Sequence, residues 1–296
     1  MSVRKKLREL LAAPGLTLMP GAYDALSARI IEAQGFAAIA AGGYAAIGSM
    51  LAQPDTGQCN MRDYADHNAR ICAAVALPVY VDGDTGFGGV NNVRQMVRAF
   101  EAAGVAGIFV SDQTFPNRCG YLPGKQVIPA AEMVAKIKAM LDARRDCDLV
   151  ICARSDAASV EGLDAAIARG QLYMAAGADM AKPMGVDTIA EIERVIREVP
   201  GPHMATISQA AGAKHRDLAE LEAAGVAAVT FPSAALFAAA QAVREALAML
   251  KRDRSLAGLG QKLMPLPDYY ELVGLNDQLA REESYDRAAE ALVRGS

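Results

Sequence analysis

Tryptophan is missing from this chain and aromatics make up only 5% of it, so small and aliphatic side chains must supply most of the packing. Alanine-rich helices laid against Val, Ile and Ala strands would meet that need. No charge of one sign predominates. The 34 acids and 30 bases are interspersed and leave a formal charge of -4, so no basic face is available to hold a phosphodiester backbone or an anionic membrane surface. Nucleic acid and membrane are excluded as expected partners. Apolar runs are broken by Gly, Pro or charge well short of the ~20 residues a membrane span needs. The opening Met1-Ser2-Val3-Arg4-Lys5-Lys6 leads into an amphipathic stretch without a signal-like apolar core, and the expectation is a soluble, cytoplasmic protein.

Histidine is scarce too. The three present, His67, His203 and His215, include no pair at zinc-site spacing, which excludes a histidine-bound metal. The five cysteines are odd in number and scattered, so they form neither a disulfide ladder nor a CxxC knuckle. Cys72, Cys147 and Cys152 lie in or beside apolar segments and read as inert buried thiols. Cys119 differs, because it sits in the polar stretch Asn117-Arg118-Cys119-Gly120-Tyr121.

What the chain does have is a recurring unit: an amphipathic helix ending in Ala-Gly or Gln-Gly, a short apolar strand, then a polar or glycine-rich loop. Gly35, Gly104, Gly177 and Gly225 each stand where a helix would end in a left-handed residue before the next strand. With the other β-prone runs, eight strands are predicted, at 16–19, 36–41, 78–81, 106–110, 149–153, 178–181, 203–206 and 227–231. They are continuously apolar, the pattern of parallel strands covered on both faces. Helical patterns lie between them, among them 91–103, 130–142, 163–176 and 188–198. Eight such units favour a closed (β/α)8 barrel of the TIM type over an open sheet, because closure removes both edges. The expected organisation is a single barrel domain over 1–296, with an N-terminal helix in 1–15 and a C-terminal helical tail over 252–296. That tail leaves an apolar stripe at Leu272, Val273, Leu275 and Leu279 to bury, either by capping the barrel or, the favoured reading, against a neighbouring subunit.

In such a barrel the polar side chains at the C-terminal strand ends converge on one cavity. The third strand ends in Asp82-Gly83-Asp84-Thr85-Gly86. Carboxylates at i and i+2 of an extended segment point to one side, and oxygen ligands suit Mg²⁺; the alternative is a turn in which they cap local backbone. Arg154 emerges from an apolar run and needs an anion beside it, either a substrate carboxylate or Asp82 or Asp84. Cys119 lies in a loop over 114–127 whose prolines and glycines suit a lid, and neighbouring Arg118 would favour its thiolate. Lys182 ends the sixth strand as an anion ligand, an imine-forming amine or a side chain reaching solvent.

The motifs Pro20-Gly21-Ala22-Tyr23-Asp24-Ala25, Gly42-Gly43, Pro54-Asp55, Asp82 to Gly88, Asp112-Gln113, Arg118-Cys119-Gly120 with Gly124-Lys125, and Ala153-Arg154-Ser155-Asp156-Ala157 together span nearly the whole chain. They resemble the isocitrate lyase and phosphoenolpyruvate mutase superfamily, especially its short members of the methylisocitrate lyase type. The resemblance implies an enzyme, Mg²⁺-dependent, that acts on α-keto or α-hydroxy carboxylates through a pyruvate-type enolate. It implies metal ligation by Asp82 and Asp84 with Asp55 nearby. It also implies substrate contacts from Gly42, Gly43, Tyr44, Arg118, Gly120, Arg154 and Thr206, proton transfer by Cys119, and a homotetramer whose C-terminal helices are exchanged between neighbours. A carbon–carbon lyase acting on a 2-hydroxy di- or tricarboxylate is the leading expectation. Oxaloacetate decarboxylation or hydrolysis, phosphonate–phosphate mutation and a catalytically inactive carboxylate-binding barrel are the alternatives.

Four positions depart from the family pattern. Asn117 and Tyr121 flank Arg-Cys-Gly where the family usually has Lys and His; Ser111 and Lys182 stand where it carries glutamates. Tyr121, with an ordinary pKa near ~10, is a poorer base than imidazole but can position a substrate oxygen. Losing two acids and gaining an ammonium predicts a weakened hold on Mg²⁺, with Lys182 taking over part of the enolate-stabilising role.

Overall fold

The computed structural model describes residues 2–120, 122–208, 217–260 and 262–294. Eight strands alternate with helices: β1 (Thr17–Pro20), β2 (Ile39–Ala41), β3 (Val79–Asp82), β4 (Gly107–Ser111), β5 (Val150–Ser155), β6 (Met180–Pro183), β7 (Met204–Thr206) and β8 (Ala228–Phe231). All eight fall on the predicted runs, and every pairing between them is parallel. The ladders form two sheets instead of one unbroken ring, in the orders β2-β3-β4-β5-β6 and β1-β8-β7. Isolated parallel bridges at Gly21–Ala40 and Ala181–His203 lie between β1 and β2 and between β6 and β7. The class is therefore α/β with parallel sheets.

The helices are α1 (Val3–Ala12), α2 (Ala25–Ala33), α3 (Gly43–Leu51), α4 (Met61–Ala74), α5 (Val90–Ala102), α6 (Ala130–Ala143), α7 (Leu163–Ala175), α8 (Ile189–Glu198), α9 (Leu218–Ala223) and α10 (Ala234–Asp253). Local chemistry sets their ends. At α8 the Thr188 hydroxyl accepts from the Glu191 amide at 3.2 Å and the Glu191 carboxylate accepts from the Thr188 amide at 2.9 Å. This reciprocal cap is worth about 1 kcal/mol on the threonine side. The glycines predicted to end α2, α5, α7 and α9 all have positive φ.

Alternation along the strands separates two cores. Val79 and Val81 of β3 and Ile108 and Val110 of β4 face the helix layer. Tyr80, Phe109, Cys152 and Met180 face inward, where they meet Met19, Met204 and Ala228 of the other sheet and Leu7 and Leu11 of α1. Both sheets thus turn their alternate residues onto one shared interior, and α1 fills one end of it. The next inward position on each strand, two residues on, is polar: Asp82, Ser111, Arg154, Lys182, Thr206 and Thr230.

The chain divides into two units, 1–237 and 238–296. The second contains most of α10, a short 3-10 turn at Ala257–Leu259, α11 (Leu266–Leu272) and α12 (Leu275–Arg294). Its predicted apolar stripe is half-buried at Leu272 and Leu275 and exposed at Val273 and Leu279. Among the described residues no helix is long and apolar enough to cross a membrane.

Candidate functional site

A cavity opens where the inward positions turn from apolar to polar. Tyr80 and Phe109 line its apolar part, and Asp82, Arg154, Lys182, Thr206 and Thr230 are the strand-borne polar groups around it. From the loops come Gly42, Gly43 and Tyr44 at the start of α3, Asp55, and Asn117, Cys119 and Gly120 of the stretch after β4. Ten of the residues singled out from the sequence therefore meet in one place. Asp84, Arg118 and Tyr121 are the other three. Tyr121, like His215, lies outside the described residues.

Asp84 is buried but stands behind the wall. The i, i+2 expectation assumed an extended segment, yet β3 ends at Asp82 and Asp84 has φ of 52°, which breaks the alternation. Its amide donates to Asp82 Oδ1 at 2.8 Å, so the turn is also the local cap considered from sequence. The other oxygen of Asp82, Oδ2, accepts from the Gly43 amide at 3.0 Å. A side chain at Gly43 would place Cβ 2.9 Å from that oxygen and 2.7 Å from the Tyr64 hydroxyl, so only glycine permits this approach. Arg118 is exposed, and its guanidinium donates to the Pro123 carbonyl at 3.4 Å. The guanidinium whose field couples to Cys119 is that of Arg154.

Arg154 does not pair with Asp82 or Asp84. Two residues along its own chain, Asp156 accepts from its Nε at 2.8 Å and its Nη2 at 3.1 Å, a bidentate grip. Asp156 also takes Lys125 Nζ at 3.0 Å and the Ser111 hydroxyl at 3.2 Å. Ser111 thus supports Asp156 from β4 instead of lining the cavity. Burial pushes the Asp156 carboxyl up, but Arg154 and Lys125 pull harder and hold it at about 2. Asp112, the residue after β4, anchors the next layer by accepting from the Ser155 hydroxyl, the Asp156 amide and the Tyr173 hydroxyl.

Lys182 stays inside. It is 5% exposed, and its Nζ lies 4.2 Å from the centre of the Phe109 ring and 5.7 Å from that of Tyr80. Burial, then the positive charge of Arg154, lower its pKa to about 8. This placement removes the solvent-reaching alternative.

On the acidic side, burial first, then Asp82 and Asp84, raise Asp55 to about 7; burial and Asp82 raise Asp84 to about 6. Oxygen donors whose charges repel in a buried site suit a hard cation. Among the described residues no three acid, histidine or cysteine side chains stand close enough to chelate one outright. The residues therefore fit an ion held by one or two carboxylates with water completing its shell, as Mg²⁺ commonly is.

Three contributors escaped sequence reasoning. Asp156 and Lys125 stood inside recognised motifs, but nothing in a linear reading pairs residues 31 positions apart. Asn117 is 4% exposed, lines the cavity, and has no hydrogen-bond partner for its Oδ1. Its only signal was its difference from the family pattern. Among the cysteines, Cys152 is buried as expected, but Cys147 is exposed, because it follows the end of α6 in the turn before β5.

Comparison with known proteins places this arrangement. Residues 7–251 match the family model for phosphoenolpyruvate phosphomutase. The chain is 35% identical over 285 residues to 2,3-dimethylmalate lyase of Eubacterium barkeri, covering 96% of this chain and 99% of that protein. It is 36% identical over 287 residues to 2-methylisocitrate lyase of Aeropyrum pernix, covering 97% and 92%. Among solved structures, oxaloacetate acetylhydrolase in complex with 3,3-difluorooxalacetate superposes with a TM-score of 0.90 at 30% identity, covering 96% of this chain and 97% of that one. Phosphonopyruvate hydrolase in complex with oxalate and Mg²⁺ gives 0.86 at 30% identity, covering 96% and 99%. With 96% or more of its length matched by these relatives, the chain belongs to the phosphoenolpyruvate mutase/isocitrate lyase superfamily.

Proposed function

We propose that this enzyme is a carbon–carbon lyase that cleaves a 2-hydroxy di- or tricarboxylate through an enolate intermediate. The observation that carries the reading is the meeting of Cys119, Arg154 and Lys182 in one cavity whose remaining charged wall groups, among the described residues, are Asp55 and Asp82. Arg154, fixed by Asp156, grips the substrate carboxylate, and the amides of Gly42 and Gly43 with Tyr44, Gly120 and Thr206 shape the pocket around it. The family pattern also assigns Arg118 to substrate binding and Tyr121 to positioning a substrate oxygen. A cavity base takes the hydroxyl proton, the bond between the hydroxyl-bearing carbon and its neighbour breaks, and the hydroxyl carbon becomes the ketone of a 2-oxo acid; the bonding pair passes to the enolate form of the other fragment's carboxylate, whose carbon Cys119 protonates. The orphan Oδ1 of Asn117 accepts from a substrate hydroxyl, a group that a merely apolar ligand would lack. Asp82 and Asp55, with Asp84 behind them, are the residues that would hold Mg²⁺. When bound, the ion supplies positive charge beside the developing oxyanion.

The bridges between the two sheets and their common interior support a closed (β/α)8 barrel. The exposed apolar side chains of 238–296 support a homo-oligomer, a tetramer with exchanged tails by the family pattern. Hydrolysis of an oxaloacetate-like keto acid is the second reading, favoured by the structural likeness to oxaloacetate acetylhydrolase.

The test is turnover on 2-methylisocitrate, 2,3-dimethylmalate and oxaloacetate by wild type and Cys119→Ser. Cleavage of a hydroxy acid that falls by about 100-fold or more in kcat, with KM nearly unchanged, is expected from loss of a proton donor. Undiminished lyase turnover in the variant would overturn the role of Cys119. Activity confined to oxaloacetate would transfer the assignment to the second reading.

A further inference from the structure

The two cations of the cavity wall differ in how they are held. Arg154 is paired with the bidentate Asp156, which it shares with Lys125, whereas Lys182 has no ion-pair partner among the described residues. Register places them side by side on β5 and β6, and both face the hollow. A buried ammonium without a counter-ion is costly. The faces of Phe109 and Tyr80 beneath Lys182 recover part of that cost, but a ring quadrupole uses none of the three N–H donors. Those donors are left for an anion in the cavity. The same hollow has Asp55 and Asp82 on its wall, so a divalent cation held there shares a buried, low-dielectric space with the ammonium, and the two repel.

We propose that Lys182 and a divalent cation are alternative positive partners for the enolate oxygen: Arg154 and Lys182 together bind a small planar dianion without metal, and the Lys182 ammonium weakens the hold of Asp82 and Asp55 on the cation. The inference rests on the enolate reading of the function. Arg154 takes the two oxygens of a carboxylate in a fork, and Lys182, a compact charge with rotatable donors, meets the neighbouring oxygen. A shared space makes the linkage reciprocal: what removes the ammonium frees the acids for the metal.

Calorimetry on chelator-stripped protein tests this with two probes used separately, oxalate and Mg²⁺. Stripped wild type binds oxalate; Lys182→Met weakens that binding by about tenfold or more and tightens Mg²⁺ by a similar factor, while Lys182→Arg keeps metal-free oxalate binding within a few-fold of wild type. Opposite shifts for the two probes in one variant cannot arise from misfolding. The proposal is overturned if stripped wild type and Lys182→Met bind oxalate equally, or if Mg²⁺ binds both with the same affinity. Because neither titration needs turnover, oxalate binding that appears only with Mg²⁺ overturns this proposal and leaves the lyase reading standing. No oxalate binding under either condition overturns both.

Discussion

Asp156 holds the cationic side of the site together, and it shows how one buried carboxylate can set the geometry of several functional groups. It is fully buried and bonds to Arg154 twice, to Lys125 and to Ser111. Its folded-state pKa of about 2 lies below the ordinary value of 3.8. Between those values the unfolded chain binds more protons than the folded one, so stability rises with pH through that window and is complete above it. The depression corresponds to about 2 kcal/mol. Asp156→Asn should lower stability at neutral pH by about 3 to 5 kcal/mol, since it leaves Arg154 buried without its counter-ion, and should flatten the acid limb. Denaturant unfolding of both proteins at several pH values from 2 to 7 measures this; parallel acid limbs would assign the stability to other groups. A linear reading identified Arg154 as a buried cation in need of an anion, but the partner was legible only once the structure showed the chain leaving the extended conformation at Asp156 (φ -96°, ψ 8°).

At the scale of elements, the eight strands were legible because parallel strands buried on both faces are continuously apolar. Their ends were not. Hydropathy stops at Val81, Val110, Ala153 and Ala181, whereas the hydrogen-bonded ladders run on to Asp82, Ser111, Ser155 and Pro183. Backbone pairing does not depend on side-chain polarity, and those extra residues are the ones that deliver the chemistry. Nor could the loop after β4 be placed from composition. Lys125 fixes it by donating to the Gly120 carbonyl at 2.7 Å and to Asp156 at 3.0 Å, which ties the Cys119-Gly120 stretch to the end of β5. The fit is close: a Cβ on Gly120 would lie 2.8 Å from Arg154 Nη2. Lys125→Met removes both charge-assisted bonds, a loss of about 2 kcal/mol or more in holding the loop down. Cys119 should then react with iodoacetamide about tenfold faster or more, with Lys125→Arg restoring part of the protection. Equal rates in wild type and Lys125→Met would show that the loop is held by other contacts.

For the molecule as a whole, the helices of the unit 238–296 leave apolar side chains exposed. A helix is stabilised chiefly by burying an apolar face, and isolated helices are marginal in water. Yet α10, α11 and α12 contain no buried residue. Val243, Leu247 and Leu250 follow one another at i, i+4 and i+7 along α10 with 57%, 58% and 37% exposure, a continuous stripe on one helical face. Leu292 and Val293 near the end of α12 are more exposed still. Apolar surface of this extent is covered in a working protein, and a second copy of the chain carries the same stripe, which makes a self-complementary contact the economical solution. Two charges placed on the stripe should therefore act on assembly and spare the unit that carries the site. Val243→Glu combined with Leu247→Glu is expected to shift sedimentation equilibrium from an oligomer, four chains by the family pattern, to smaller species, with the circular dichroism of the strands and helices retained. A wild-type protein that sediments as a single chain, or a double variant that assembles as well as wild type, would show that this face is not where the copies meet.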